Sequence, residues 1–347
     1  MKRIFIPISL LLLLVLAATC SSSTEPGNNN GNQPDTTSHI LNWKIDTIGI
    51  APSYLNDVWG TSDNNIYAVG FVYFSFSPYK ASNIVHWDGY KWSAIDYLQG
   101  DLNTIYGFGD NDIWAAGLWQ VDYNLYTLIA HWDGESWNTW KFQEYPQISA
   151  LWGTSSKNIY AVGANGTILH FDGKTWQKIE SGTNLYLTNI FGFANGNFFV
   201  GGGSIETDTG ILLKYDGTSI KKIIERNYIK DTLSGIITGI CGKDENNLIV
   251  ESDAGTYQYK DNHWINLNLP DDNTLIRNIR GNYLNNLFTI GSFGMIIHYN
   301  GQTWHLYNEF YRKPNGDELK NARVMGRKVF IVGSSEDSKA IIYRGIQ

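Results

Sequence analysis

The stretch Ile148-Ser149-Ala150-Leu151-Trp152-Gly153, then Asn158-Ile159-Tyr160-Ala161-Val162-Gly163, then Gly166-Thr167-Ile168-Leu169-His170-Phe171-Asp172-Gly173, then Thr175-Trp176-Gln177-Lys178-Ile179 decides the fold. Its apolar runs are too short for helices and are separated by Gly, Asn, Asp and Ser, so they read as four short strands joined by turns. The same order recurs from Leu55 (Trp59-Gly60, Ile66 to Gly70, Asp88-Gly89, Trp92) and from Leu102 (Tyr106-Gly107, Ile113 to Gly117, Asp133-Gly134, Trp137). Later copies begin near Leu187, Ile237, Ile276 and Leu319, with decay. Seven copies over residues 41 to 346 take about 44 residues each, the length of a four-stranded propeller blade.

The chain ends agree. Six copies finish with a fourth strand beginning at Trp92, Trp137, Trp176, Ile220, Trp264 or Trp304, whereas the seventh stops at Gln347 without one. The segment Ile40-Leu41-Asn42-Trp43-Lys44-Ile45 reads as the missing strand, and pairing it with the C-terminal copy would close the ring and remove the open edge. Asp46 breaks the register of that segment, where an apolar residue is expected. The fold class is therefore all-β: a seven-bladed β-propeller of four-stranded antiparallel blades, closed by an N-terminal strand, with six or eight blades as the alternatives.

Composition is consistent with packed β-structure: 43% hydrophobic and 14% aromatic residues against 17% charged, with 35 Gly and 8 Pro. The formal charge of −7 falls to near −9 if Lys2 and Arg3 leave with a leader, which argues against a nucleic-acid partner. The apolar run from Ile4 to Ala18 behind Lys2 and Arg3 fits a signal peptide and is short for a membrane span.

After that run comes Ala17-Ala18-Thr19-Cys20 and then Ser21-Ser22-Ser23, which resembles the lipobox of bacterial lipoproteins. The resemblance implies cleavage after residue 19, lipid on Cys20 and, with Ser next to the cysteine, delivery to the outer membrane. The lipobox usually has Leu three places before the cysteine and Gly, Ala or Ser just before it, where this chain has Ala17 and Thr19; an ordinary secretory signal cut near Ala18 is the alternative. Residues 20–39 then form a polar tether and residues 40–347 the propeller. With Cys20 lipidated, Cys241 has no disulfide partner, so the core must suffice by itself.

The repeat units resemble a broad set of exported bacterial β-propeller proteins, on Trp59-Gly60-Thr61-Ser62, Trp152-Gly153-Thr154-Ser155 and the Asp-Gly-x-x-Trp runs at 88, 133 and 172. The resemblance implies architecture and leaves activity open. The Asp-Gly runs also resemble the Asp-box of sialidase propellers but are one residue shorter. A sialidase needs several converging arginines, and none occurs between Arg3 and Arg226.

Asp88, Asp133, Asp172 and Asp216 each precede Gly and read as hairpin turns rather than a carboxylate array. His86, His131, His170 and His298 share one repeat position, so they diverge around the ring and no metal site is expected. Cys241 occupies the position of Trp59, Tyr106, Trp152 and Phe191 and reads as a small buried apolar residue; Arg280 and Arg323 in that position could reach a channel or be paired. No nucleophile, zinc-protease, dinucleotide or phosphate-loop motif occurs, and no cofactor is expected.

Turns after strands one and three of each blade lie on one face of the disc, the first face, and those after strands two and four on the other. Extra residues fall on the second face: Phe71 to Asn83, Leu118 to Thr127, Gly203 to Thr209, Glu225 to Gly235 and Asn308 to Glu318. Phe74, Phe76, Tyr79, Trp119, Tyr123 and Tyr126 in the first two insertions are the candidate binding residues, for stacking on a glycan or anchoring a protein. The alternative is that these insertions merely extend the strands and fold their aromatics on each other. The expected function is a non-catalytic, monomeric, envelope-tethered binding propeller. An envelope carbohydrate hydrolase or lyase is the alternative, with acid and base drawn from Glu206, Asp208, Glu225, Asp231 or Asp122.

Overall fold

The computed structural model describes residues 36–347, apart from 98, 123, 145–146, 228, 230–231, 271–275, 282–283 and 313–315. The leader, Cys20, Tyr123 and Asp231 lie outside the described residues. Among the described residues there are seven four-stranded antiparallel sheets, six in sequential strand order and the seventh completed by the first strand of the chain. Blade one runs Ile50–Ser62, Asn65–Phe76, Tyr79–Trp87 and Trp92–Ile95, and blade three Ile148–Ser155, Asn158–Gly163, Ile168–Phe171 and Trp176–Lys178. The inner strands of the other blades start at Asp101, Tyr186, Ile237, Ile276 and Glu318.

Blade seven takes its fourth strand from the other end of the chain. Asn42–Ile48 pairs antiparallel with Ala340–Ile346, from Asn42 opposite Ile346 to Ile48 opposite Ala340. Asp46 is no defect in that register. It accepts Arg344 Nε at 2.6 Å and Nη2 at 2.9 Å, and Trp92 Nε1 of blade one at 3.0 Å. The Arg344 guanidinium in turn lies 4.1 Å from the Trp87 ring centroid. The polar residue in an apolar position thus joins the closing strand to both neighbours.

The core is a ring of seven apolar layers among the described residues, one between each pair of adjacent blades. Leu55, Val72 and Trp87 pack against Phe330, Val332 and Ile342 where blade one meets blade seven. Trp152, Tyr160 and Val162 pack against Leu187, Phe198 and Leu213 between blades three and four. The layer between blades five and six is the thinnest, with Cys241, Ile249, Ile279 and Leu287 as its buried members.

Two local devices explain the repeat motif. Every inner strand carries a bulge at the same repeat position, at Leu55/Asp57, Leu102/Thr104, Ile148/Ala150, Leu187/Asn189, Ile237/Gly239, Ile276/Asn278 and Leu319/Asn321. The extra residue reaches the next blade: Asn56 Nδ2 donates to Leu102 O at 2.9 Å, Asn103 Nδ2 to Ile148 O at 3.2 Å, and Thr188 Oγ1 to Ile237 O at 2.7 Å. The second device is the aromatic-glycine pair. A Cβ on Gly192 would lie 2.3 Å from the Trp152 ring and one on Gly107 2.8 Å from the Trp59 ring, so each indole lies over the glycine of the following blade.

Candidate functional site

The insertions of blades one and two continue their strands outward as hairpins. Asn65–Phe76 pairs with Tyr79–Trp87, ending Phe76 opposite Tyr79, and Asp112–Val121 pairs with Asn124–Trp132, ending Val121 opposite Asn124. The aromatics partly fold on each other, as the alternation from Phe71 to Phe76 allows: Tyr73 lies 4.9 Å from Phe71 and 5.2 Å from Phe76, ring to ring. Phe74 is half-buried against the layer between blades seven and one. Trp119 is half-buried against the layer between blades one and two, 5.5 Å from Tyr126, with Lys141 Nζ 3.4 Å above its ring. Phe74, Trp119 and Tyr126 are thus partly covered, as the strand-extension alternative has it, because the lengthened strands give them a sheet face to cover. Phe76 and Tyr79 at the hairpin tip remain 55% and 60% exposed.

Other exposed apolar side chains gather on the same face. Val121 and Leu125 stand at the tip of the blade-two hairpin, Ile205 in the blade-four turn, Ile229 after blade four and Phe293 in the turn of blade six. On the first face, Tyr90 in the Asp88-Gly89 hairpin and Ile40, just before the closing strand, are exposed. Phe293 holds a left-handed backbone (φ 59°), an uncommon conformation for an aromatic residue, while its carbonyl accepts Arg312 N at 2.9 Å.

The first face has a different character. The first-face halves of all seven inner strands enclose an axial cavity of about 1370 Å³. Aromatic residues Trp59, Tyr106, Phe108, Trp152, Phe191 and Phe193 come to its wall from blades one to four, and Lys243, Arg280, Lys320 and Arg323 from blades five to seven. Sequence position alone left Arg280 and Arg323 between channel and surface; both line this cavity. Arg280 Nη1 donates to Asn278 Oδ1 at 2.5 Å and to Ile279 O at 3.0 Å. Asn278 Nδ2 donates to Asn321 Oδ1 at 3.1 Å, and Asn321 Nδ2 to Asp57 Oδ1 at 2.6 Å.

Asp57 is buried and also accepts Thr104 Oγ1 and Ile105 N at 2.9 Å each. Burial raises its carboxyl above the usual range, against the pull of these bonds and of the Arg280 charge. It links blades seven, one and two and is engaged as a structural acceptor. No repeat signal marked it, since the same position holds Thr104, Ala150, Asn189, Gly239, Asn278 and Asn321 in the other blades.

The shared histidine position is structural. His86, His131, His170 and His298 stack on Tyr67, Trp114, Tyr160 and Phe288, with ring centroids 4.1 to 4.5 Å apart. Their Nε2 atoms lie 2.5 to 3.1 Å from Asn65, Asp112, Asn158 and Asn286 side-chain oxygens. The Asp-Gly runs are turns: Asp88, Asp133, Asp172 and Asp216 each accept two backbone N–H groups from the residues that follow, which holds the first three carboxyls below their usual range, while at Asp216 Lys221 acts first and the Thr218 hydroxyl and the backbone bonds after it.

For acid–base chemistry, Asp253 is raised by burial first and by the Asp208 charge among the lesser causes. Neither residue lines the axial cavity. Glu225 is ion-paired with Lys222.

No family model matches the chain. A 55-residue segment is 45% identical to the "Immune protein Tsi7" of Pseudomonas aeruginosa, covering 16% of this chain and 18% of that protein, so the match spans under a fifth of the relative's length. Among solved structures, "YCF48 bound to D1 peptide" aligns with a TM-score of 0.64 at 14% identity, over 88% of this chain and 97% of that one. A catalytically inactive virginiamycin B lyase from Staphylococcus aureus with quinupristin aligns at 0.63 and 10% identity, over 88% and 100%. The WD40 β-propeller domain of Doa1 aligns at 0.64 and 13%, over 89% and 98%. At these identities the likeness establishes the fold, a seven-bladed β-propeller, and among the proteins so matched are one bound to a peptide and one named as a lyase.

Proposed function

We propose that this protein is a non-catalytic recognition propeller of the cell envelope, tethered through lipid on Cys20 and acting as a monomer, that holds a protein partner on its second face. The observation that carries this reading is the concentration of exposed apolar side chains at second-face turns, from Phe76 and Tyr79 through Val121 and Leu125 to Ile205, Ile229 and Phe293. Raised hairpin tips with aliphatic as well as aromatic ends suit an apolar anchor in a protein interface better than a sugar platform. Phe76 and Tyr79 are the first anchors, with Trp119 and Tyr126 supporting the neighbouring hairpin. Tyr123 belongs to the same proposed surface through its place in the sequence.

The test compares membrane-extract capture by the native protein with capture by a Phe76→Asp/Tyr79→Ser variant of equal thermal stability. A protein retained by the first and lost by the second supports the reading; equal capture, or capture of a glycan alone, overturns it. The tether is tested separately with Cys20→Ala, which should move the protein from the membrane fraction to the soluble fraction and abolish incorporation of labelled fatty acid.

A further inference from the structure

Ahead of its closing strand, the chain crosses a cluster of histidines on the first face of blade six. Thr37 N donates to Asn300 O at 3.2 Å and Thr37 Oγ1 to Asn285 O at 2.6 Å. Gln347 Nε2 donates to Ser38 O at 3.0 Å, and the Tyr307 hydroxyl to His39 O at 2.8 Å. His39 is thereby set between two histidines of that blade, its ring centroid 4.9 Å from His298 and 5.2 Å from His305. The crossing accounts for a difference within the repeat. His86, His131 and His170 are half-buried, whereas His298 in the same repeat position is fully buried. Thr37 Oγ1 lies 3.4 Å from His298 Nε2 and His39 Nδ1 3.0 Å from His298 Nδ1, so residues 37–39 are what covers it. Lifting them would leave His298 about as open as its three counterparts, with blade six intact.

The partners fix the hydrogen positions. Asn286 Nδ2 donates to Gly326 O at 3.2 Å, which leaves its Oδ1 as the acceptor 3.1 Å from His298 Nε2. His298 Nε2 therefore carries the hydrogen and Nδ1 the lone pair. His39 Nδ1 must then donate to His298 Nδ1, while His39 Nε2 accepts Thr303 Oγ1 at 2.9 Å. Both rings are neutral, with one hydrogen between them. An added proton fits the pair only if His39 moves its own hydrogen to Nε2, and it leaves an imidazolium buried beneath the chain. A second added proton sets two N–H groups face to face at the same short distance. The charges acting on His298 are those of His39 and His305, and on His39 that of His305, so each oppose protonation; Glu309 acts on the neighbouring Tyr307. Arg327 is the charged residue of the adjoining turn, where its carbonyl accepts Gln347 N at 2.9 Å.

We propose that residues 37–40 are an acid-released latch: protonation of the His39–His298 pair lifts them off blade six and uncovers His298, while the closing strand stays paired. That strand has its own hold, through the ladder from Asn42 opposite Ile346 to Ile48 opposite Ala340 and through the bond from Arg344 to Asp46. Release adds four residues, about 13 Å of extended chain, to the segment ahead of the propeller. The inference does not depend on lipid at Cys20 or on the second-face surface.

Two measurements on the full chain from pH 7.5 to pH 4 test this: NMR titration of labelled histidines, and amide hydrogen exchange normalised to the intrinsic rate at each pH. A released His298 takes up a proton closer to the ordinary imidazole value than a latched one, so each proton shifts the latch by up to about tenfold per pH unit as pH falls. His39, His298 and His305 should titrate in one steep step. Across that step, exchange protection of residues 37–40 should fall at least tenfold, while that of Asn42–Ile48 changes less than twofold. His298→Gln should reduce the fall to less than twofold. Should that variant fail to fold, His39→Ala, outside the blade core, should do the same. Independent titration of the three histidines, protection unchanged with pH, loss of Asn42–Ile48 in the same step, or an undiminished fall in the variants would each overturn the proposal.

Discussion

Asp46 and Arg344 form a two-point ion pair between the first and last strands of the propeller, Oδ2 to Nε at 2.6 Å and Oδ1 to Nη2 at 2.9 Å. The two residues are separated by 298 positions in sequence and sit one strand apart in blade seven. Ring closure therefore depends on a polar contact as well as on the ladder of backbone bonds.

Replacing Asp46 by Asn should cost about 2 kcal/mol, between the values for exposed and fully buried pairs, since both side chains are largely but not wholly covered. Equilibrium urea unfolding of Asp46→Asn, Arg344→Met and the double variant measures it. The double variant should be little worse than either single one; simple additivity would show that the pair is not coupled.

His298 sets an acid limit to stability. Burial, with lesser help from the charges of His39 and His305, lowers its imidazole from 6.5 to about 3. His39 Nδ1 lies 3.0 Å from His298 Nδ1, and Asn286 Oδ1 3.1 Å from its Nε2. The unfolded chain takes up the proton near 6.5 and the folded chain does not, so this contribution is intact above pH 6.5 and shrinks as pH falls toward 3. Between pH 6.5 and 4 the loss should be on the order of 3 kcal/mol. Unfolding free energies at pH 7 and pH 4.5 should differ less in His298→Gln than in the native protein.

Glu251 acts in the opposite direction. It is fully buried, accepts Thr256 Oγ1 at 2.5 Å and leaves Oε1 without a partner; burial raises its carboxyl to about 8. The folded form keeps its proton where the unfolded form has lost it, so stability declines as pH rises from about 4.5 to 8. Glu251→Gln removes that decline and should gain about 2 kcal/mol at pH 8, with little change at pH 5. A variant equally destabilised at both values would show that the carboxyl is ionised and paired in the fold.

Gly192→Ala should cost about 2–3 kcal/mol, because its new methyl would lie 2.3 Å from the Trp152 indole. Combining it with Trp152→Leu should restore part of the loss, giving a double variant more stable than the two single effects summed. Thermal unfolding of the four proteins settles the sign of the coupling.

The architecture was legible because it is written seven times. The copies starting at Leu55, Leu102, Ile148, Leu187, Ile237, Ile276 and Leu319 fall on the bulged positions of the seven inner strands, and the orphan strand around Trp43 is paired where the missing edge required it. Strand period, Asp-Gly turns and the aromatic-glycine step are local properties, so one dimension suffices to read them. The face of each turn followed from the same alternation, which is why the second-face insertions could be located.

Packing decided the rest. Whether Trp119 stood in solvent or under Lys141 depended on how far its strand continued, and whether Asp46 was a flaw or a clasp depended on Arg344 at the far end of the chain. The axial cavity is assembled from one short segment of every blade, and Lys243, Arg280, Lys320 and Arg323 come together on its wall only once seven inner strands converge. Sequence by itself determined the repeating unit, its number and its closure, because each is carried by neighbours in the chain. Only the tertiary structure decided what the two faces offer, because hydrogen-bond satisfaction and exposure belong to residues brought together from different blades.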